Sequence, residues 1–189
     1  MNLPNLLTWL RILAIPGVVL LAYAGSGEPS RWFDPAAGLL FAAAAITDTF
    51  DGYLARRLGQ VTRLGAFLDP VADKLIVSVA LVLVVSRDPR WLLQVAAIII
   101  IGREIAVSAL REWMAEMGQR ARVAVSALGK WKTILQMVGI TLLLYRHELL
   151  GLPIYRLGEW LTLASALLTI WSMLIYLRAA APYLAEPRD

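Results

Sequence analysis

Cysteine is absent from the 189 residues, and histidine occurs once, as His147. These absences exclude disulfides, thiolate nucleophiles and cysteine-ligated zinc, and they leave no histidine pair for a metal and little basis for a Ser-His-Asp relay. Chemistry in this chain must come from carboxylates, Arg and Lys, and hydroxyls. Charge is also scarce. Asp, Glu, Lys and Arg make up 17% of the residues against 59% hydrophobic ones, whereas a soluble domain is usually about 45–50% apolar. The net charge is +4, but the basic residues sit in short stretches between apolar blocks. That pattern fits orientation in a membrane and contact with anionic lipid heads, and no nucleic-acid partner is expected. No internal repeat or low-complexity segment is present. The first apolar block lacks a basic leader and contains Arg11 and Pro16, so no cleavable signal peptide is expected.

What the chain has in abundance is apolar blocks long enough to cross a bilayer, which takes about 20 residues. Their boundaries predict six transmembrane helices, over 6–24, 35–56, 65–85, 91–117, 130–145 and 157–184. The expected architecture is all-α, a polytopic bundle forming one integral membrane domain over residues 1–189. The loop after the second helix carries Arg56, Arg57 and Arg63. The loop after the fourth carries Arg120, Arg122, Lys130 and Lys132. The opposite loops hold Arg31, Arg87, Arg90, Arg146 and Arg156, mixed with acids. The Lys and Arg bias places both termini and both basic loops in the cytoplasm. Gly17, Gly38, Gly102 and Gly139 are expected to be helix-packing contacts, and most of the Trp residues to lie at the interfaces or against lipid.

Asp48, Asp51, Gly52, Ala55 and Arg56 recur at helical spacing and share one face of the second helix. Gly65, Asp69 and Asp73 repeat the pattern on the third. The short connection predicts that these two helices are antiparallel neighbours, so that four carboxylates converge near the cytoplasmic end. Four carboxylates in an apolar site repel each other unless a cation intervenes. Oxygen-only ligation suits Mg²⁺ or Mn²⁺, and the spacing does not exclude Ca²⁺. Carboxylates shared between two metals are the usual means of polarising a diphosphate. Gly52, Ala55 and Gly65 leave no bulky side chain on that face, so a base or phosphate chain can approach the backbone. A lone intramembrane Asp has an equally good structural reading, paired with Arg or lining an ion path. Arg56 and Arg57 have a second reading as orientation anchors. Pro70 is either inside the third helix or at its first position, with Asp69 as the cap.

The stretch DTFDGYLARRLGQVTRLGAFLDPVAD, Asp48 to Asp73, contains D-x2-D-G-x2-A-R-x8-G-x3-D-x3-D with every fixed position filled. It resembles the signature of the CDP-alcohol phosphatidyltransferases. Asn-Leu-Leu-Thr at Asn5–Thr8 with Arg11, Gly-Arg-Glu-Ile at Gly102–Ile105, the segment Ala109–Glu116, and Gly-Lys-Trp-Lys-Thr at Gly129–Thr133 resemble the branch whose acceptor is sn-glycerol 3-phosphate. The resemblance implies transfer of a phosphatidyl group from CDP-diacylglycerol, with release of CMP. It implies a two-metal site in which Asp48, Asp51 and Asp69 bind one ion and Asp48, Asp69 and Asp73 the other, with Asp73 also the base for the acceptor hydroxyl. Gly52, Arg56 and Thr62 would contact the CDP part, with Asn5 and Thr8 nearby. The resemblance further implies a bacterial inner-membrane homodimer with its active site facing the cytoplasm.

A phosphomonoester acceptor needs a fixed positive pocket. Arg103 and Arg111 share a helix face, and Lys130 and Lys132 open the next helix on the same side. Arg111, Lys130 and Lys132 have a second reading as lipid-head and orientation residues, and Arg103 could be paired with Glu104 or Glu112. The rival functions are the same transfer to inositol phosphate, serine or phosphatidylglycerol and, from another class, divalent-cation transport.

Overall fold

The computed structural model describes the backbone of residues 3–25, 30–58, 63–118, 127–149 and 151–184, and the side chains of these except 3–7, 48–58, 63–64, 66, 127–130, 179 and 182–184. Six helices account for nearly all of it: α1 (Leu3–Ala24), α2 (Phe33–Leu58), α3 (Arg63–Arg87), α4 (Trp91–Glu116), α5 (Ala127–Tyr145) and α6 (Ile154–Leu184). The connections are local chemistry. Ser30 Oγ accepts the Phe33 N–H, while Asp34 Oδ2 accepts the Ser30 N–H, a reciprocal cap that starts α2. Pro89 biases Asp88, the first residue past α3, out of helix before Arg90 opens α4 from an extended conformation. Gly118 takes φ +74° just past α4 and donates back to the Ala115 carbonyl, a turn only glycine adopts without strain.

Successive helices run up and down, in the cyclic order α1–α2–α5–α6–α4–α3. As expected, α2 and α3 touch, but among the described residues only sparsely, and α1 packs more extensively against both of them. The α1 helix therefore stands beside the acidic face of α3. Pro70 lies inside α3, which begins at Arg63, so the reading of Asp69 as a cap is corrected. The proline ring cannot donate to the carbonyl one turn back.

Polarity is distributed inside out. Phe41, Leu81, Ile100, Ile140 and Leu143 form the core, but Thr162, Ser165, Thr169 and Ser172 of α6 are buried beside it, with Gln136 of α5. Leu13, Leu20, Val82, Ile98, Ile105 and Leu167 point outward, and six of the seven Trp are exposed. Such a surface is costly in water and suited to lipid. By length and composition α4, and α6 as far as Arg178, can cross a membrane; the apolar parts of α1, α2 and α5 are shorter.

Lipid is as apolar as the core, so helix association rests on close packing and polar pairs. A Cβ on Gly139 would come within 2.9 Å of the Thr162 nitrogen, and one on Gly158 within 2.9 Å of the Gly139 carbonyl oxygen. The α5 and α6 backbones touch there. Gly139→Val is expected to destabilise the bundle by about 1–3 kcal/mol, seen as a lower Tm in detergent, whereas Gly102→Val is expected to leave it unchanged. Gly102, read from the sequence as a packing contact, is exposed, and a Cβ there meets nothing within 4 Å.

The end of the bundle away from the acidic face is clasped by ion pairs. Arg87 reaches Asp34 Oδ1 at 2.6 Å and the Gly25 carbonyl at 2.9 Å, and Asp34 is fully buried. Removing one partner strands a buried charge. Asp34→Ala is expected to cost about 3–5 kcal/mol of stability, and Asp34→Leu with Arg87→Met to recover much of it in the same melting assay. Nearby, Arg90 binds Asp88 and Glu159, and the Tyr155 hydroxyl donates to Asp88. Burial alone would raise the Asp88 carboxyl, but the bonds from Arg90 and Tyr155 outweigh it and hold it below the usual range.

Candidate active site

On α3, Asp69 and Asp73 stand one turn apart, and α1 supplies a partner for each. Thr8 Oγ1 donates to Asp69 Oδ1 at 2.6 Å. Arg11 Nη1 donates to Asp73 Oδ1 at 2.7 Å. Thr8 and Arg11 are each about 2% exposed, while the Asp73 side chain remains 38% exposed. A buried rank of donors on α1 thus orients carboxylates that face accessible space. Gly65, one turn before Asp69, is buried.

Asp73 opens onto a cavity of about 170 Å³ that Lys74, Glu104, Thr133, Gln136 and Met137 also line. Beyond Glu104 lies a cluster of cations. Glu104 Oε1 accepts from Arg103 Nη1 at 2.7 Å and from Lys132 Nζ at 2.9 Å. Arg103 Nη2 also donates to Ser172 Oγ at 3.2 Å. The Arg103 and Arg111 guanidinium groups lie 5.8 and 5.1 Å from the centre of the Tyr176 ring, and Arg111 donates to the Tyr176 hydroxyl at 2.8 Å. Three cations from α4 and α5 are therefore held by one carboxylate and one aromatic ring. Lys132, counted from the sequence among the loop residues, is in the second turn of α5 and 2% exposed.

The structure therefore groups Thr8, Asp69 and Asp73, with Asp73 lining the cavity, and sets Arg103 and Lys132 on Glu104, which lines it from the other side, with Arg111 joined to Arg103 through Tyr176. Asp48, Asp51, Gly52, Ala55 and Arg56 belong to the last turns of α2, but their side chains lie outside the described residues, as do those of Asn5 and Lys130; Thr62 lies outside them altogether. Among the described residues no three acidic or histidine side chains meet as a metal site. Asp69 and Asp73 offer hard oxygen donors at helical spacing, which fits Mg²⁺ or Mn²⁺, and a complete set would draw on Asp48 and Asp51.

Sequence reading assigned no site role to Arg11, Gln136, Ser172 or Tyr176, and named Glu104 only as a partner for Arg103. Arg11 and Gln136 carry a visible signal, since a polar group within an apolar helix needs a partner or a task. Ser172 and Tyr176 carry none, because hydroxyl residues are common in membrane helices.

The model of the family described as CDP-alcohol phosphatidyltransferase matches residues 1–171. Two relatives called CDP-diacylglycerol–glycerol-3-phosphate 3-phosphatidyltransferase, from Escherichia coli (strain K12) and Shigella flexneri serotype 5b (strain 8401), are each 50% identical to this chain over 179 residues, covering 95% of it and 94% of the relative. A match of that extent covers both the acidic face of α3 and the cation cluster, and with it the chain belongs to the CDP-alcohol phosphatidyltransferase family.

Proposed function

We propose that this protein transfers the phosphatidyl group of CDP-diacylglycerol to sn-glycerol 3-phosphate, giving phosphatidylglycerophosphate and CMP. The observation that carries the reading is one cavity lined by Asp73 at one side and, at the other, by Glu104, which holds Arg103 and Lys132 directly behind it. Arg103, Arg111 and Lys132 against Glu104 leave two positive charges, which match a phosphomonoester dianion. Serine, a zwitterion, and phosphatidylglycerol, a phosphodiester monoanion, match that surplus less fully.

Asp73 is the group that accepts the proton of the acceptor hydroxyl. The hydroxyl oxygen attacks the phosphorus bearing the diacylglycerol, the bond from that phosphorus to the CMP oxygen breaks, and CMP departs. In-line displacement needs no covalent enzyme intermediate. Arg11 holds the Asp73 carboxylate in place, and Thr8 does the same for Asp69. Two divalent cations, Mg²⁺ or Mn²⁺, held by Asp48, Asp51, Asp69 and Asp73, would offset charge on the diphosphate when bound. The CDP part would lie along Asn5, Thr8, Gly52, Ala55, Arg56, Thr62 and Gly65.

A groove of about 210 Å³ between α1 and α2, lined by Leu10, Ala14, Leu40, Ala43 and Ala44 and reaching Arg11 and Thr47, offers largely apolar room for a lipid chain beside the site. All six helices span the bacterial inner membrane in this reading, with the cavity and both termini on the cytoplasmic side, and the protein works as a homodimer. The deciding experiment is release of CMP from CDP-diacylglycerol by purified protein with Mg²⁺ or Mn²⁺. Release that depends on sn-glycerol 3-phosphate supports the reading; none, or release driven equally by serine, rejects it.

A further inference from the structure

We propose that Gln136 reads the middle hydroxyl of the acceptor, making it the residue that distinguishes a vicinal hydroxy-alcohol phosphate from a simple one; this rests on the acceptor reading above. Gln136 lines the same cavity as Asp73 and Glu104. It is 3% exposed, and its Oε1 is buried without a hydrogen-bond partner among the described residues. A buried amide oxygen left unpaired is costly, and between Ile134, Leu135, Met137 and Val138 on α5 it is a poor choice for packing alone. Its position is specific. Gln136 falls one turn after Lys132 on α5, so it follows the cation cluster along the helix and shares the cavity with Asp73.

The acceptor's chemistry matches that order. Glycerol 3-phosphate carries a reacting hydroxyl at one end, a phosphate at the other, and a second hydroxyl on the carbon between. With the reacting hydroxyl at Asp73 and the phosphate at Arg103 and Lys132, the middle hydroxyl lies between them. There its O–H can donate to Gln136 Oε1 once the amide turns that oxygen, shielded in this structure, toward the cavity the residue lines. A site built to bond a hydroxyl rejects the analogue without it strongly, because its own polar group is then left unpaired.

The test uses the whole protein in detergent with CDP-diacylglycerol and two acceptors, sn-glycerol 3-phosphate and 3-hydroxypropyl phosphate, which lacks only the middle hydroxyl. The wild-type protein is expected to prefer the former by about tenfold to a hundredfold in kcat/KM. Gln136→Met keeps the side-chain length, removes the acceptor oxygen, and is expected to reduce the preference to near unity, chiefly through a higher KM for glycerol 3-phosphate. Gln136→Asn, which withdraws the amide by one methylene, is expected to do the same and serves where the Met variant does not fold. A wild-type protein indifferent to the missing hydroxyl overturns the proposal, and so does a preference retained in folded Gln136 variants, which would leave the amide a packing or water-binding role. Absence of any wild-type turnover with glycerol 3-phosphate overturns the acceptor reading itself and is seen before any variant is made.

Discussion

Replacing Asp73 by Asn is expected to lower kcat for CMP release by about 10²–10⁴-fold, the range for removing a positioned base, while binding of CDP-diacylglycerol falls much less. The substitution keeps the shape of the side chain and leaves an amide oxygen able to accept from Arg11. It removes the capacity to take a proton and leaves a neutral oxygen as a weaker ligand in the proposed metal site. Asp73 is singled out because it is the described acid that lines the cavity on the α3 side and because a guanidinium on α1 fixes one of its oxygens at 2.7 Å. The companion variants have a different signature. Asp48→Ala, Asp51→Ala and Asp69→Ala are expected to abolish turnover with loss of divalent-ion dependence, since each removes a proposed metal ligand and no base. Single-turnover kinetics with saturating CDP-diacylglycerol separates the two kinds of loss. Near-normal rates in Asp73→Asn would end its role as the base.

The contrast between α1 and α3 shows what the sequence could and could not reveal. Helix bounds were legible because the apolar blocks are long and the connections carry Gly, Pro and charge. The predicted 91–117 and 130–145 segments match α4 (Trp91–Glu116) and α5 (Ala127–Tyr145) within a few residues. The face shared by Asp69 and Asp73 was legible from spacing alone. The neighbour of that face was not. A short loop between α2 and α3 suggested direct contact, which is present but slight; α1 packs more extensively against both, so the donors that orient the two acids come from residues 8 and 11, more than 60 positions away. Spacing reports which residues share a helix face and is silent on what that face meets. The same limit explains Glu104. Its place beside Arg103 allowed the pair, but the bond from Lys132 of the next helix, which makes Glu104 a bridge between two cations, depends on tertiary packing. Gly102 erred for a related reason: small residues mark close approach in general, and only the outward direction of this one removes it from the packing.

Arg103→Ala is expected to lower kcat/KM for sn-glycerol 3-phosphate by about 10–100-fold, the loss of hydrogen bonds to a charged group, and to leave the slow reaction with unphosphorylated glycerol nearly unchanged. The reason is charge balance. With Arg103 present, Glu104 neutralises one of three cations and a dianion satisfies the other two; without it, the carboxylate and the phosphate compete for Lys132. Glu104→Gln in the Arg103→Ala background relieves that competition and is expected to restore part of the affinity. A purely structural Arg103 would behave otherwise: its loss would expose a poorly paired Glu104 and depress both acceptors equally, and the second substitution would raise stability without favouring the phosphate. Steady-state kinetics with the two acceptors in the four proteins of this cycle distinguishes the cases, because only a phosphate-binding arginine couples to the charge of the substrate.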